Sequence, residues 1–229
     1  MPATARKHFD DDIARAWAIH EQAEDDALGA DLARASVAFA VGALDAYLCD
    51  AFVDSLARTL KTCRRDGTEV PKAYGRLMMP IGPLLNGYEH RENWGLRMSA
   101  RALMERDNLL QLGRLRELLN PALRPGQKLW HDLVPQYIAL DRLRLTGIRR
   151  SAYARLPGRD RGRVRRSAAN SVLRRIGEIV QRRHDIVHNC DRPKLAKQRL
   201  SLSAAKKMLI DIESFVTILD DHLDQHRLF

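Results

Sequence analysis

Residues 182–193 of the chain read RRHDIVHNCDRP and stand at the end of a long helical pattern. Before and within them, apolar residues recur at intervals of three, four and seven, which is typical of a helix face turned toward a core: Leu173, Ile176, Val180 and Val187. Arg183 falls on the same predicted face. Because a buried, unpaired guanidinium is costly, the pattern predicts that Arg183 contacts a carboxylate, a phosphate or a solvated groove.

The spacing of Arg183 and His188 limits how the two residues can act together. Five residues at 100° each place their side chains about 140° apart around a continuous helix. They can meet only if the helix ends at about His188, or if a second copy of the chain brings them together across a two-fold axis. Asn189, Asp191 and Pro193 favour a helix end, since Asn tolerates the left-handed conformation and Pro restricts the residue before it. Both arrangements stay open.

Length and composition predict a mostly helical protein. The chain has 229 residues, of which 45% are hydrophobic and 30% charged, and it is long enough to bury a substantial core. No apolar run approaches the roughly 18 to 20 residues of a membrane span, and Met1 to Asp12 lacks the features of a secretion signal. We therefore expect a cytoplasmic protein that does not enter a membrane. The three cysteines show no paired spacing, so we expect reduced thiols.

Positive charge is concentrated in the segment Arg142–Arg166. It holds ten arginines and one acidic residue, Asp160, so it carries nine of the ten net positive charges of the chain. A local arginine cluster favours a polyanionic partner, and RNA is the partner we expect. The candidate RNA-binding residues are Arg149, Arg150, Arg155, Arg159, Arg161, Arg163, Arg165 and Arg166. The alternative is a flexible, solvated loop, because glycine and proline interrupt the segment.

The remaining pattern predicts an all-α protein, an antiparallel helical bundle in a single domain over residues 1–229. An irregular, loop-rich insertion is expected at about 62–97, where proline and glycine are frequent. Asp31 and Ser99 are expected to cap two of the helices, and Ser201 or Ser203 the last one. The predicted helices cover about 10–29, 31–60, 99–119, 132–145, 166–188 and 201–224.

The motif Arg183-His184-Asp185-Ile186-Val187-His188 resembles the Arg, four to six residues, His signature of the HEPN superfamily. The early helical segment Ala43-Leu44-Asp45-Ala46-Tyr47-Leu48 and the closing amphipathic helix resemble the branch called RiboL-PSP-HEPN. The resemblance covers about 31–60 and 167–224 and leaves 62–165 unexplained. It implies a small helical bundle that forms a homodimer and cleaves RNA without a metal or other cofactor, with an antitoxin or another regulatory protein as a further partner.

The resemblance implies that Arg183 and His188 are catalytic and that the products carry 2′,3′-cyclic phosphate and 5′-OH ends. Such chemistry suits these residue types, because an imidazole can move a proton near neutral pH and a guanidinium pairs well with a phosphate. His184 and Asn189 are candidate supporting residues. Asp45 lies beside the apolar face of the second helix and is a candidate partner for Arg183, or else a solvent-facing residue. A toxin or defence component is the expected setting.

Three other interpretations compete with a nuclease. His184 and His188, four residues apart, resemble the His-Glu-x-x-His motif of zinc enzymes with Asp185 in place of Glu, although no third ligand stands at a recognisable spacing. The same bundle could bind RNA or a protein without catalysis. Arg183 could instead form a structural salt bridge with Asp45 or Glu178, with His188 as a cation at a helix C-terminus.

Overall fold

The computed structural model describes residues 4–87, 94–104, 110–124, 126–191 and 198–226. All of the secondary-structure elements assigned in these ranges are helices, which confirms the all-α prediction. A 3-10 turn, Asn120–Ala122, follows the sixth helix. The α-helices are α1 Ala5–Glu21, α2 Ala27–Asp66, α3 Lys72–Gly75, α4 Gly82–Gly87, α5 Trp94–Met104, α6 Leu112–Leu119, α7 Leu129–Ala139, α8 Leu143–Thr146, α9 Arg150–Ala154, α10 Gly158–His188 and α11 Leu202–His226.

The chain divides into two compact units. The first comprises Met1–Tyr47 and His131–Asp221, and the second comprises Leu48–Trp130 and His222–Phe229. Helices α2, α7 and α11 contribute residues to both units. Every candidate site residue named from the sequence belongs to the first unit, so the fold of that unit decides how those residues are placed.

Aromatic side chains link the helices of the first unit. Phe9 of α1 and Tyr47 of α2 meet edge to face with ring centroids 5.8 Å apart, and the Tyr47 hydroxyl donates to Asp220 of α11 over 2.9 Å. Tyr137 of α7 stacks on Phe215 of α11 at 6.4 Å and donates to its backbone carbonyl. Because these groups are almost fully buried and hydrogen-bonded, they fix the relative positions of α1, α2, α7 and α11.

The starts of the first two helices differ from the sequence prediction. Helix α1 begins at Ala5, where the Thr4 hydroxyl accepts a hydrogen bond from the Lys7 amide. Helix α2 begins at Ala27, and the Asp26 carboxylate caps it by accepting from the Gly29 amide at 2.6 Å. The prediction that Asp31 caps this helix is therefore wrong. Asp31 lies inside the helix and accepts from Arg34.

The second unit contains the segment predicted to be loop-rich. Helix α2 continues to Asp66 and is followed by the short helices α3 and α4, as expected for a loop with short helices. Ser99 does not cap a helix, because it lies buried within α5 and its hydroxyl donates to the Pro80 carbonyl. Helix α6 ends at Leu119, directly before Asn120-Pro121, as predicted. Part of the predicted helix over 99–119 falls at 105–109, outside the described residues.

Helix α2 is the one element among the described residues that is long and apolar enough to cross a membrane. The apolar window that meets this test is 61% buried inside the protein. Its apolar residues thus already have protein neighbours.

The last two long helices position the candidate site. Helix α10 begins at Gly158, eight residues before the predicted start, so the second half of the arginine-rich segment is helical. It ends at His188, as predicted. Helix α11 begins after Ser201, whose hydroxyl accepts from the Ala204 amide at 3.2 Å and confirms this residue as a cap. Most of the segment between α10 and α11, residues 192–197, lies outside the described residues.

Candidate functional site

The buried face of α10 is turned by one residue from the predicted face. Its buried side chains are those of Ala168, Val172, Ile176, Ile179 and Arg182. Val187 is 46% exposed and Arg183 is only half-buried. The prediction that Arg183 lies on the core-facing stripe is therefore wrong, and its neighbour Arg182 occupies that place.

Arg182 is held in a buried charge cluster. The carboxylate of Asp191, 1% exposed, forms an ion pair with Arg182 and accepts from Arg34 Nε at 2.6 Å. Both guanidinium groups also donate to the backbone carbonyl of Gln198. The carboxylate compensates a charge that would otherwise be costly to bury. The contact between Arg34 and Asp191 could not be predicted from spacing in the sequence, because the two residues lie 157 positions apart.

The chain leaves the helical conformation in a tight turn at residues 189–191, immediately after α10. The backbone carbonyl of Asp185 accepts from the amides of both Asn189 and Asp191. Cys190 and Asp191 adopt positive φ angles of 46° and 60°, which is uncommon for residues other than glycine. The buried Asp191 carboxylate anchors this turn to α2 through Arg34, so the position of His188 depends on the charge cluster.

Arg183 lines an open groove of about 320 Å³ between α1, α2 and α10. Phe39 and Val187, which are 45% and 46% exposed, give the groove its apolar walls, and Gly42 leaves room between them. Within the described residues, Arg183 forms no ion pair closer than 4 Å. Its guanidinium is therefore available to an external anion.

Asp45 lies close enough to Arg183 to interact with its charge. Burial raises the pKa of the Asp45 carboxyl above its ordinary value, and the positive charge of Arg183 acts in the opposite direction. The two side chains do not form a direct ion pair in the described part of the chain. The predicted partnership is thus electrostatic and leaves the Arg183 donors unoccupied.

His184 and His188 form an exposed pair of imidazoles at the end of α10. Their ring centroids lie 4.6 Å apart. Asn189 follows at the helix end, where its side-chain amide donates to Asp185 over 3.5 Å. Arg183 lines the groove and His188 is exposed, and the five residues of continuous helix between them turn their side chains about 140° apart.

Several arginines of the segment Arg142–Arg166 contact other residues of the protein. Arg144 donates to Asp211, which is 2% exposed and also accepts from Arg175. Other residues of the segment also have local contacts: Arg149 lies 3.9 Å from Asp141, the Arg150 backbone amide donates to Asp141, Arg161 lies over the ring of Tyr153, and Arg165 donates to the Tyr153 hydroxyl. Much of the segment is helical, in α8, α9 and the start of α10, and is therefore not a continuous loop.

The other arginines of the segment point into solvent. Arg155, Arg159 and Arg166 are exposed and have no side-chain partner in the described ranges. Arg163 makes one long contact, 3.7 Å, with Asp160. Of the eight predicted RNA-binding arginines, Arg161 and Arg165 thus have close side-chain contacts with Tyr153 or nearby carbonyls. The other six have exposed side chains with only long contacts or none in the described ranges.

No three His, Cys, Asp or Glu side chains of the described residues are grouped as metal ligands would be. His184 and His188 are therefore a pair without a third ligand in that part of the chain. The chain matches no protein-family profile, no curated protein and no solved structure.

Proposed function

We propose that the protein is a metal-independent endoribonuclease of the HEPN type. The observation that carries the proposal is the exposed imidazole pair, His184 and His188, at the end of a helix where the Arg183 guanidinium has no ion-pair partner among the described residues. An imidazole that titrates near neutral pH and a free guanidinium are the groups that cleavage of a phosphodiester by its own 2′-OH requires.

In the proposed reaction, His188 removes the proton of the 2′-OH, and the resulting oxygen attacks the adjacent phosphorus. The bond from phosphorus to the 5′-oxygen breaks, and that oxygen takes a proton from an imidazolium, for which His184 is the candidate. The products are a 2′,3′-cyclic phosphate and a 5′-OH. Arg183 stabilises the negative charge that develops on the phosphoryl oxygens.

The proposal includes a homodimer. Arg183 and His188 face different directions on one α10, so a complete site needs Arg183 from one chain and His188 from another. The groove next to Arg183 supports this arrangement, because Phe39 and Val187 are large exposed apolar residues and Gly42 lets a second surface approach closely.

The first experiment measures cleavage of single-stranded RNA in EDTA by the wild type and by His188→Ala. We expect the wild type to cut and the variant to lose at least about a hundredfold in rate, which is the usual contribution of one general acid or base. His131→Ala is the matched control, because His131 is also exposed and lies elsewhere in the first unit. Equal rates for His188→Ala and the wild type would show that the catalytic assignment is wrong.

The second experiment mixes two inactive variants, Arg183→Ala and His188→Ala. If each site combines Arg183 of one chain with His188 of the other, a mixed dimer contains one intact site. After subunit exchange, half of the dimers are mixed, so about a quarter of the wild-type activity returns. No recovery in a mixture shown by mass spectrometry to contain mixed dimers would exclude a shared site.

The second candidate function is an RNA-binding or protein-interaction module without catalysis. The separation of Arg183 and His188 in the single chain favours it. This function predicts salt-sensitive RNA binding with the RNA recovered intact. Fragments with cyclic phosphate ends would contradict it.

For the nuclease we propose a cytoplasmic toxin or defence role. Unregulated RNA cleavage damages the cell that makes the enzyme, so the proposal includes an antitoxin or another regulatory protein that restrains it. Co-expression with such a protein should restore growth that the wild type inhibits, whereas His188→Ala should not inhibit growth.

A further inference from the structure

Three exposed arginines of α10, Arg159, Arg163 and Arg166, lie on the same side of the helix as the histidines. Arg166 and His184 are 18 residues apart, which is about five turns of 3.6 residues, and Arg159 and His188 are 29 apart, which is about eight turns. All four side chains are exposed. A single stripe of the helix thus carries positive charge near one end and imidazoles at the other.

This stripe is energetically unfavourable without a partner. Arg159 and Arg163 are four residues apart and Arg163 and Arg166 three apart, and like charges at these spacings repel on a helix. Arg159 also lies in the first turn of α10, where the helix dipole disfavours a cation. Asp160 is the one carboxylate that reaches them in the described chain, at 3.7 Å from Arg163. An external polyanion removes this cost.

We infer that one strand of RNA follows this exposed stripe of α10, with phosphates held by Arg159, Arg163 and Arg166 and the scissile phosphate at the histidines. The inference rests on the proposed nuclease function. The inference adds to that function a distance between the binding arginines and the cut. At a rise of 1.5 Å per residue, His188 lies about 33 Å from Arg166 and about 44 Å from Arg159 along the helix.

That distance predicts a length requirement. At about 3.4 Å per nucleotide of a stacked strand, the arginines lie roughly 10 to 13 nucleotides from the scissile phosphate. Because the stripe extends from the histidines in one direction only, RNA on one side of the cut is bound by it and RNA on the other side is not. The enzyme then requires a long stretch of RNA, here called an arm, on one particular side of the cut, either the 5′ or the 3′ side.

The test uses RNAs with one cleavable linkage and arms of 2 to 20 nucleotides on either its 5′ or its 3′ side. We expect KM to fall as one arm lengthens, to level off once it exceeds roughly 13 nucleotides, and to be insensitive to the other arm. The triple variant Arg159→Gln, Arg163→Gln, Arg166→Gln should raise KM for long-arm RNA about tenfold, remove the dependence on length and leave kcat nearly unchanged.

The matched control is the triple variant Arg58→Gln, Arg76→Gln, Arg116→Gln. It removes the same charge from exposed arginines of the second unit, so it should keep the length dependence. Thermal unfolding of both variants verifies that they fold. Equal KM values for short and long arms in the wild type, or an equal loss in the control, would overturn the inference.

A binding measurement separates this inference from the nuclease proposal. If the wild type binds long-arm RNA more tightly than short-arm RNA, and the α10 triple variant abolishes the difference, the stripe is an RNA-binding surface even if no RNA is cut. If RNA is cut at the same rate whatever the arm length, the nuclease stands and the stripe is excluded. If RNA is neither cut nor bound, both are wrong.

Discussion

At the scale of single residues, the adjacent arginines 182 and 183 differ in what surrounds them. Arg182 is buried with Asp191 and Arg34, whereas Arg183 lines an open groove. We predict that Asp191→Asn lowers the free energy of unfolding by about 3–5 kcal/mol, because two buried guanidinium groups lose their carboxylate. Asparagine tolerates the positive φ at this position, so the change tests charge rather than backbone strain.

Urea denaturation followed by circular dichroism measures this change. Asp66→Asn is the control, since it breaks an exposed ion pair with Arg65 and should leave the free energy of unfolding nearly unchanged. An Asp191→Asn protein as stable as the wild type would contradict the structural account of the cluster.

Asp45 provides a second test at this scale. Its pKa is raised by burial, so its ionisation opposes folding at neutral pH. Asp45→Asn should therefore be more stable than the wild type at pH 7. The difference should shrink as the pH falls through the raised pKa and vanish below the model-compound value of 3.8. Urea denaturation at pH 7 and pH 3.5 measures it.

The charge of Arg183 gives the matching control experiment. Carbon-detected NMR titration should show a higher pKa for Asp45 in Arg183→Gln than in the wild type, because the opposing positive charge is removed. Arg174→Gln changes an exposed arginine of the same helix that pairs with Glu178, and it should leave the Asp45 titration unchanged. The same shift in both variants would refute the proximity of Asp45 and Arg183.

At the scale of the helix, two glycines of α2 have opposite surroundings. A Cβ at Gly29 would lie 1.8 Å from the backbone oxygen of Glu24, so Gly29→Ala should strongly destabilise the protein. A Cβ at Gly42 would meet no heavy atom within 4 Å, so Gly42→Ala should raise the free energy of unfolding of the monomer by about 1 kcal/mol. Because Gly42 lines the groove, the same change should weaken the proposed dimer.

Thermal unfolding and light scattering measure the two effects of Gly42→Ala separately. A variant that is more stable but dimerises as the wild type does would show that the second chain does not use the groove. A Gly29→Ala protein as stable as the wild type would show that the backbone at Glu24 can move to make room for the added methyl group.

Sequence patterns predicted the existence of the long helices better than their starts and faces. The end of α10 at His188 and the Ser201 cap could be read from local residues, whereas Asp31 and Ser99 lie inside helices that begin earlier in the chain. The face that α10 buries could not be read from the sequence, because Val187 is exposed and Arg182 is buried, the reverse of the usual preference. Arg182 can be buried because it pairs with Asp191, whose carboxylate also binds the distant Arg34.

At the scale of the whole molecule, a net charge of +10 does not act as one uniform field. Several arginines of the segment 142–166 are neutralised or held within the fold, while those of the α10 stripe are not. We predict that the α10 triple variant reduces the slope of log K for RNA against log salt by about 2, because each lost contact with a single strand contributes about 0.7. Titrations between about 50 and 200 mM salt measure the slope.

The Arg58, Arg76 and Arg116 control variant has the same net charge as the α10 variant. A similar reduction of the slope in both would mean that the total charge, and not its placement on α10, attracts the RNA.

The contact between Arg34 and Asp191 also affects the order of events during synthesis. Arg34 leaves the ribosome early with Asp31 as a local partner, and its buried partner Asp191 follows 157 residues later, which at about 5–20 residues per second takes roughly 8–30 s. Until then the turn after α10 has no anchor on α2. The turn after α10 therefore becomes fixed on α2 only after Asp191 has been made, when most of the polypeptide is already synthesised.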